Sequence, residues 1–350
     1  MNRLLKKLPI SELRFLYASF KTLLELRSEI RTEERLISLK LHFLEEITHI
    51  KLSSERNLWN LNPTITQTGK LKIYYRKTTG ALFPEAKLNG ISRVDNPSKD
   101  FKNAVMYLEL ADDMSMTKQE TVIDLMGSPC LEDVRAIEFQ DRTLLVGTLV
   151  LTSSPNPWTS TVAIYDTLNK STLQLKSPNN RRIEKNWVPI EINGKILRLL
   201  YSFSPIHIIE VDLISGEQKS SILDNAKTSK KPLNGGSQFI KLADGSYLRV
   251  ARKRFSVIGM GRIHLNYFVH HDINLMEIGR SRPFIFRTLG FEICNGMRLE
   301  KSGVVYLTWA ENDRDMYIAS CSTQNILKFI STNRNKDKIS FLTTISLLKN

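Results

Sequence analysis

After Asn57 the chain breaks into short segments rich in β-branched and aromatic residues: KLKIYYRK, NAVMYLEL, TLLVGTLVL, TVAIYD, KILRLLYSF, HIIEVD, SYLRVARKR, NYFVHHD, VVYLTWA and MYIASCS. Gly, Pro, Asn and Asp separate them, and the gaps are too short to hold crossover helices, so the strands are expected to pair antiparallel. Several hairpins share a pattern in which a strand runs into an Asp-containing turn and out again: MYLELADDMSMTKQE, VAIYDTLNKSTLQL, HIIEVDLISGEQKS and FVHHDINLMEIG. Asp112, Asp166, Asp212 and Asp272 recur at intervals of about 50 residues, the scale of one propeller blade. About 290 residues at that spacing give five or six blades, with a sandwich of long hairpins as the alternative.

The stretch before Asn57 has a different texture. From Ser11 to Ile50 there is neither Gly nor Pro, and apolar residues recur at helical spacing: Leu13, Leu16, Tyr17, Phe20 and Leu23, then Leu36, Leu39, Phe43, Leu44 and Ile47. This predicts one long amphipathic helix or two shorter ones. The chain therefore divides into a helical segment over 1–56 and an all-β domain over 57–350. Packing against the β-domain is the simplest role for the helix, and peripheral contact with a membrane surface or dimerisation stays open.

Composition narrows the function classes. Of 350 residues, 41% are hydrophobic and 25% charged, as in a globular protein. The three cysteines, Cys130, Cys294 and Cys321, show no CxxC spacing, which speaks against a disulfide framework or a structural zinc site and for a reducing, cytoplasmic setting. Pro9, Glu12 and Arg14 interrupt what would be the apolar core of a signal peptide, and no window approaches a membrane span. The net charge of +14 points to an anionic partner, yet the basic residues are dispersed, with the densest groups at Arg181–Arg182, Lys230–Lys231 and Ala251 to Arg254. No zinc finger, RNP motif or basic region leading into heptads is present, so nucleic acid is not expected as the partner.

Several strand segments carry polar residues that a surface hairpin does not need. LEDVRAIEF sets two acids and an arginine inside an apolar run, and alternation places Asp133 and Arg135 on one face with Glu132 and Val134 on the other. NLNPTI offers Asn62, IYYRK offers Arg76, and RRIEKNWVPI brings Glu184, Lys185, Asn186 and Trp187 together. NGGSQF holds the Gly235–Gly236 pair, where backbone can approach a ligand closely. RIHLNYFVHHD puts His264 and His270 on one strand face, while GFEICNG and TWAENDRD supply Glu292, Asn312 and Asp313. Each has an ordinary reading: a salt bridge, a core tryptophan, a hydrogen-bonded filler histidine, a turn. Their distribution, roughly one segment per blade, is how a propeller assembles a site at its axial opening.

Taken in order, NP, then Arg, then EDxR, then EKNW with a following proline, then GGS, a Tyr/His strand, FE-C-G and a late Asp resemble the inverting β-mannoside phosphorylases and mannosidases and related mannosyltransferases. The resemblance covers roughly 58–322 and implies a five-bladed β-propeller. It implies that Asp133 is the general acid, acting through a hydroxyl of the bound sugar, and that Asn62 and Arg76 hold sugar and phosphate. Lys185 and Asn186 match a Lys-[Asn/Asp] position, Asp313 the late substrate-binding aspartate, and His264, His270 and His271 are candidate phosphate or sugar contacts. The family pattern has proline where this chain has Val134. The residue types suit the chemistry. An inverting glycosidase needs a second carboxylate to activate water, whereas a phosphorylase replaces both with phosphate and a basic cluster. Arg76, Arg135, Lys185 and a histidine are expected to form the anion site, with Trp187 stacking on a sugar face and Glu292 among the substrate contacts. The co-substrate is then inorganic phosphate or a sugar phosphate, with no other cofactor and no metal demanded by any spacing. A catalytically silent propeller that binds glycan or protein is the alternative.

Overall fold

The computed structural model describes residues 21–22, 24–26, 41–52, 61–79, 102–125, 130–152, 159–203, 205–223, 233–257 and 261–336. Twenty strands form five four-stranded antiparallel sheets, the blades of a propeller. Blade 1 is β2 (Thr64–Ile65), β3 (Leu71–Thr79), β4 (Lys102–Leu110) and β5 (Met116–Leu125). Blade 2 is β6 (Cys130–Phe139), β7 (Arg142–Thr152), β8 (Thr159–Asp166) and β9 (Ser171–Gln174). Blade 3 is β10 (Val188–Asn193), β11 (Ile196–Phe203), β12 (Ile206–Asp212) and β13 (Gln218–Leu223). Blade 4 is β14 (Ile240–Lys241), β15 (Tyr247–Val257), β16 (Gly261–His271) and β17 (Glu277–Arg280). Blade 5 combines β18 (Glu292–Leu299), β19 (Val304–Glu311) and β20 (Asp315–Ser322) with β1 (Glu45–Ile50), so five is the number among the values that the repeat allowed.

Aspartates explain the hairpins that end blades 1 to 4. Asp166 Oδ1 accepts the N–H groups of Leu168 and Asn169, Asp212 Oδ1 those of Ile214 and Ser215, and Asp272 Oδ1 those of Asn274 and Met276. A short acidic side chain that folds back on its own turn fixes the reversal without help from the rest of the fold. In blade 1 the neighbouring residue does this work, Asp113 accepting from Ser115 N at 2.9 Å, rather than Asp112.

Between the blades, the faces of adjacent sheets interdigitate. Leu131, Val134, Ala136 and Leu145 of blade 2 meet Tyr74, Val105 and Tyr107 of blade 1, and Val146, Ile164 and Trp187 meet Leu197, Leu199 and Ile209 of blade 3. Each such aliphatic side chain, fully buried, stabilises by about 1.5–3 kcal/mol. A helix at Thr323–Lys336 inserts Ile326 and Ile330 into the core shared by blades 4 and 5.

The helical expectation for the N-terminal segment is corrected over its last residues. Glu45–Ile50 is a strand, paired antiparallel with β20 from Glu45↔Ser320 to Ile50↔Met316, so the β-domain draws on residues ahead of Asn57. It is the outermost strand of its blade, with Ile50 its one buried residue, which left no alternating pattern to read. Residues 21–22 and 24–26 are helical, and the rest of that segment up to 40 lies outside the described residues. No described helix is long and apolar enough to cross a membrane.

Candidate active site

The innermost strands β2, β6, β10, β14 and β18 all start at one end of the propeller, where the second and third strands of each blade also turn. The segments preceding those strands, together with the hairpin tips, converge there on the axis.

At the start of β6 the pairing with β7 slips. Glu132 lies opposite Thr148 and Arg135 opposite Val146, so Asp133 and Val134 share the place facing Gly147. This β-bulge needs glycine across from it, because a Cβ on Gly147 would lie 2.9 Å from Glu132 O. Within the bulge Asp133 takes φ 50°, a left-handed conformation that Asp adopts more readily than most residues. Val134 is buried among the side chains of blades 1 and 2. The charges of this stretch do not neutralise one another. Asp133 Oδ1 accepts from Asn62 Nδ2 at 2.8 Å, and Glu132 pairs with Arg76 at 2.9 Å and Lys185 at 3.8 Å. Arg135, fully buried, donates to the backbone carbonyls of Asp133 (3.0 Å) and Gly236 (2.7 Å) and to Asn295 Oδ1 (3.4 Å).

Asp313 reaches the same place from the β19–β20 turn, at φ 57°, and its carbonyl accepts from Leu61 N at 3.1 Å beside Asn62. Its Oδ1 is buried, although the residue as a whole keeps partial exposure, and has no hydrogen-bond partner among the described residues. Burial, then the nearby charge of Asp133, pushes the Asp313 carboxyl up to about 7.

Beside these acids stands a cationic wall. Arg252 is buried on β15, with Nη1 lacking a partner among the described residues. Its guanidinium and that of Arg135 both border Gly235, lying 3.3 Å and 3.6 Å from where a Cβ on that glycine would sit. Burial, then Arg252, pushes the Arg135 guanidinium down to about 10. His264 presents an unpartnered Nε2 while its Nδ1 lies 3.0 Å from Glu292 O; burial and Arg252 push it down to about 3, so the ring is neutral. Asn266 and Asn295 contribute further buried polar atoms without partners.

Of the residues singled out in the sequence, the structure thus gathers Asn62, Arg76, Asp133, Arg135, Lys185, His264 and Asp313, with Asn186 next to Lys185 at φ 61°. Four others serve elsewhere. Trp187 lies in the core between blades 2 and 3, 1% exposed, its indole N–H donating to Glu184 Oε2 at 3.2 Å, and it offers no face to a sugar. Trp187→Ala is accordingly expected to destabilise the fold by about 3–5 kcal/mol in urea denaturation; loss of activity with an unchanged midpoint would return Trp187 to the site. Glu292 accepts the backbone N–H groups of Phe286, Arg287 and Thr288 and so anchors the loop before β18; burial raises its carboxyl to about 7. His270 does share a strand face with His264 but stands about 20 Å along the strand, at the other end of the propeller, where Nε2 meets Ser246 Oγ at 2.8 Å. His271 Nδ1 is bound at that end to Leu275 O. Arg252 was missed as a site residue because ARKR reads as one more patch of surface charge. The signal was there: an arginine within the apolar strand YLRVAR requires burial or a partner.

No family model matches the chain, and no curated protein matches it. Solved structures do. A β-1,2-mannobiose phosphorylase from Listeria innocua superposes with a TM-score of 0.56 at 10% identity, over 82% of this chain and 99% of that one. The chain shares their propeller fold. A mannose phosphorylase from Leishmania mexicana, solved with a phosphate ion, gives a TM-score of 0.53 at 11% identity, over 84% of this chain and 92% of that one. A GDP-Man-dependent mannosyltransferase from the same organism gives 0.53 at 11% identity, over 81% and 90%. At such identities the likeness establishes fold alone, and residue roles in this chain rest on its own geometry.

Proposed function

We propose that this propeller is a carbohydrate-active enzyme that makes or breaks β-mannosides or related glycosides with inversion, by phosphorolysis or by glycosyl transfer. The observation that carries the reading is the division of charge about Asp133. On one side Arg76 and Lys185 share the single carboxylate of Glu132, a cluster whose hydrogen-bonding groups suit sugar hydroxyls. On the other, Arg252, Arg135 and His264 surround buried, unpartnered hydrogen-bonding atoms, a wall suited to phosphate. In this reading Arg135 and a histidine, His264, serve the anion site as the sequence led one to expect, and Arg252 joins them from blade 4.

In the phosphorolytic direction, a phosphate oxygen attacks the anomeric carbon from the cationic side while the glycosidic bond breaks on the opposite face. Proton transfer to the departing oxygen is assigned to Asp133 in its acid form, the carboxyl that Asn62 holds in place. Hydrolysis with inversion would need a second, ionised carboxylate as base. Glu132 is tied into its ion pairs and is not suited to that task. The fold shared with two phosphorylases and a mannosyltransferase supports this reading.

Phosphate release from mannose 1-phosphate in the presence of a panel of sugar acceptors tests it. Release that depends on acceptor is the expected result; none with any acceptor would overturn the phosphorylase form. A pH dependence follows from Asp313. Its raised carboxyl is neutral below about 7 and becomes charged above, adding a negative group beside the phosphate. KM for phosphate should therefore rise as pH increases through 7. Asp313→Asn should remove that step, and comparison with the variant cancels the titration of phosphate itself; an identical step in the variant would assign it to another group.

A further inference from the structure

The stretch 175–187 leaves the outer strand of blade 2, reaches the inner strand of blade 3 and delivers Lys185 and Asn186 to the site on the way. It is irregular, with a single parallel bridge from Ile183 to Ser160, and it lies along the part of β8 that β9 leaves free. Leu175 N donates to Val162 O at 2.8 Å, Ser160 N to Arg182 O at 3.1 Å and Glu184 N to Ser160 O at 3.0 Å. At Glu184 the chain also has a side-chain anchor. The residue is 3% exposed, and its carboxylate accepts from three places at once: Ser177 Oγ near the start of the stretch, Trp187 Nε1 at 3.2 Å just before β10, and Tyr201 OH at 3.2 Å on β11. Ser177 Oγ in turn accepts from Arg181 N at 2.9 Å, so the stretch closes on its own anchor.

Glu184 and Lys185, although adjacent, serve different surroundings. The carboxylate of one is bonded to Trp187 in the core between blades 2 and 3, while the ammonium of the other stands 3.8 Å from Glu132. Asn186 follows at φ 61°, with a buried Oδ1 that has no partner among the described residues. An irregular segment holds neighbouring polar groups in place only when it is pinned from outside, and groups pinned before a ligand arrives cost less to order on binding. We infer that Glu184 is a positioning residue of this site: its carboxylate pins the stretch between blades 2 and 3 and so sets Lys185 and Asn186 towards the sugar. The inference rests on the reading of the wall at Glu132 as the sugar side of the site, and it deepens that reading by naming the group that places the wall. The competing account is packing alone, in which Glu184 only satisfies the buried indole N–H of Trp187.

Steady-state kinetics with mannose 1-phosphate and a sugar acceptor separate the two. Glu184→Ala is expected to raise KM for mannose 1-phosphate about tenfold with kcat within about twofold of wild type, because contacts of a binding wall are made alike in the ground state and the transition state. Glu184→Gln keeps a carbonyl for the indole N–H and offers an amide to the two hydroxyls, so it should bring KM back to within about twofold. In a Lys185→Ala background the effect of Glu184→Ala should shrink to about threefold, since only Asn186 is left for it to place. A lower urea midpoint with KM unchanged would show packing alone and overturn the inference, whereas a wild-type KM in Lys185→Ala itself would overturn the reading of the wall. If Glu184→Ala does not fold, Ser177→Ala, at a half-buried position, should raise KM about threefold by the same route. A second arm does not depend on the chemistry. The coupling between Lys185 and Glu132, measured by a double-mutant cycle in urea, should be present in the wild type and lost with Glu184→Ala or Ser177→Ala. Any other pattern overturns the inference, even where the wild type turns over no mannose 1-phosphate, a result that by itself overturns only the phosphorylase form of the proposed function.

Discussion

Asp133→Asn is expected to lower turnover by about 10²–10⁴-fold, the range typical of a lost general acid, while the urea midpoint stays at the wild-type value. The substitution is nearly isosteric, and asparagine tolerates the left-handed conformation that the bulge imposes at φ 50°. The amide oxygen can still accept from Asn62 Nδ2, so the position is preserved and only the proton is lost. A second readout separates this from a general loss of packing. The charge of Asp133 helps push the Asp313 carboxyl up, so its removal should move the Asp313 titration to lower pH. Turnover close to wild type would exclude Asp133 as the acid, whatever happened to the titration.

Gly236→Ala should be among the most destabilising single substitutions in the chain, by about 3 kcal/mol or more, from overpacking and backbone strain together. Gly236 has φ 104°, and a Cβ there would stand 1.9 Å from Val250 O and 2.8 Å from Val250 C. Neither atom can yield, because Val250 lies in β15 and is bonded to the same loop from both sides: Ser237 N donates to Val250 O, and Val250 N to Ser237 Oγ. The damage reaches the chemistry as well, since Gly236 O accepts from Arg135, which also holds the backbone of Asp133. Urea denaturation measures the first effect. A midpoint equal to that of wild type would mean that the loop does not lie against β15.

Much of the architecture could be read from the chain because its determinants are local. An aspartate that caps its own turn, as Asp212 does, and a run of alternating apolar residues both report on neighbours within a few positions. What could not be read depends on distant partners or on height along a strand. Period-two alternation correctly groups His264 with His270 but carries no information about which end of the propeller each occupies. Glu292 and Trp187 looked like ligands because their true partners, three backbone N–H groups of a loop and a buried Glu184, appear only once the chain has folded. Which arginine of ARKR is buried depends on height along β15, where Arg252 lies against Gly235 and Arg254 reaches the exposed end. Asp133 and Asn62, by contrast, were found through the order of short motifs, and the bulge that joins them is visible only in the pairing with β7.

The ring is closed by the hydrogen bonds between β1 and β20, one strand made early in synthesis and the other late. Asn62 and Asp313 therefore come together only when nearly the whole β-domain has left the ribosome. A chain interrupted before Asp313 lacks one of its two interacting acids and, without β20, leaves β1 and one edge of β19 in the fifth blade unpaired. Activity and circular closure are acquired in the same event, so a prematurely terminated product is inert towards sugars and, through its unpaired edges, ready for capture by quality control.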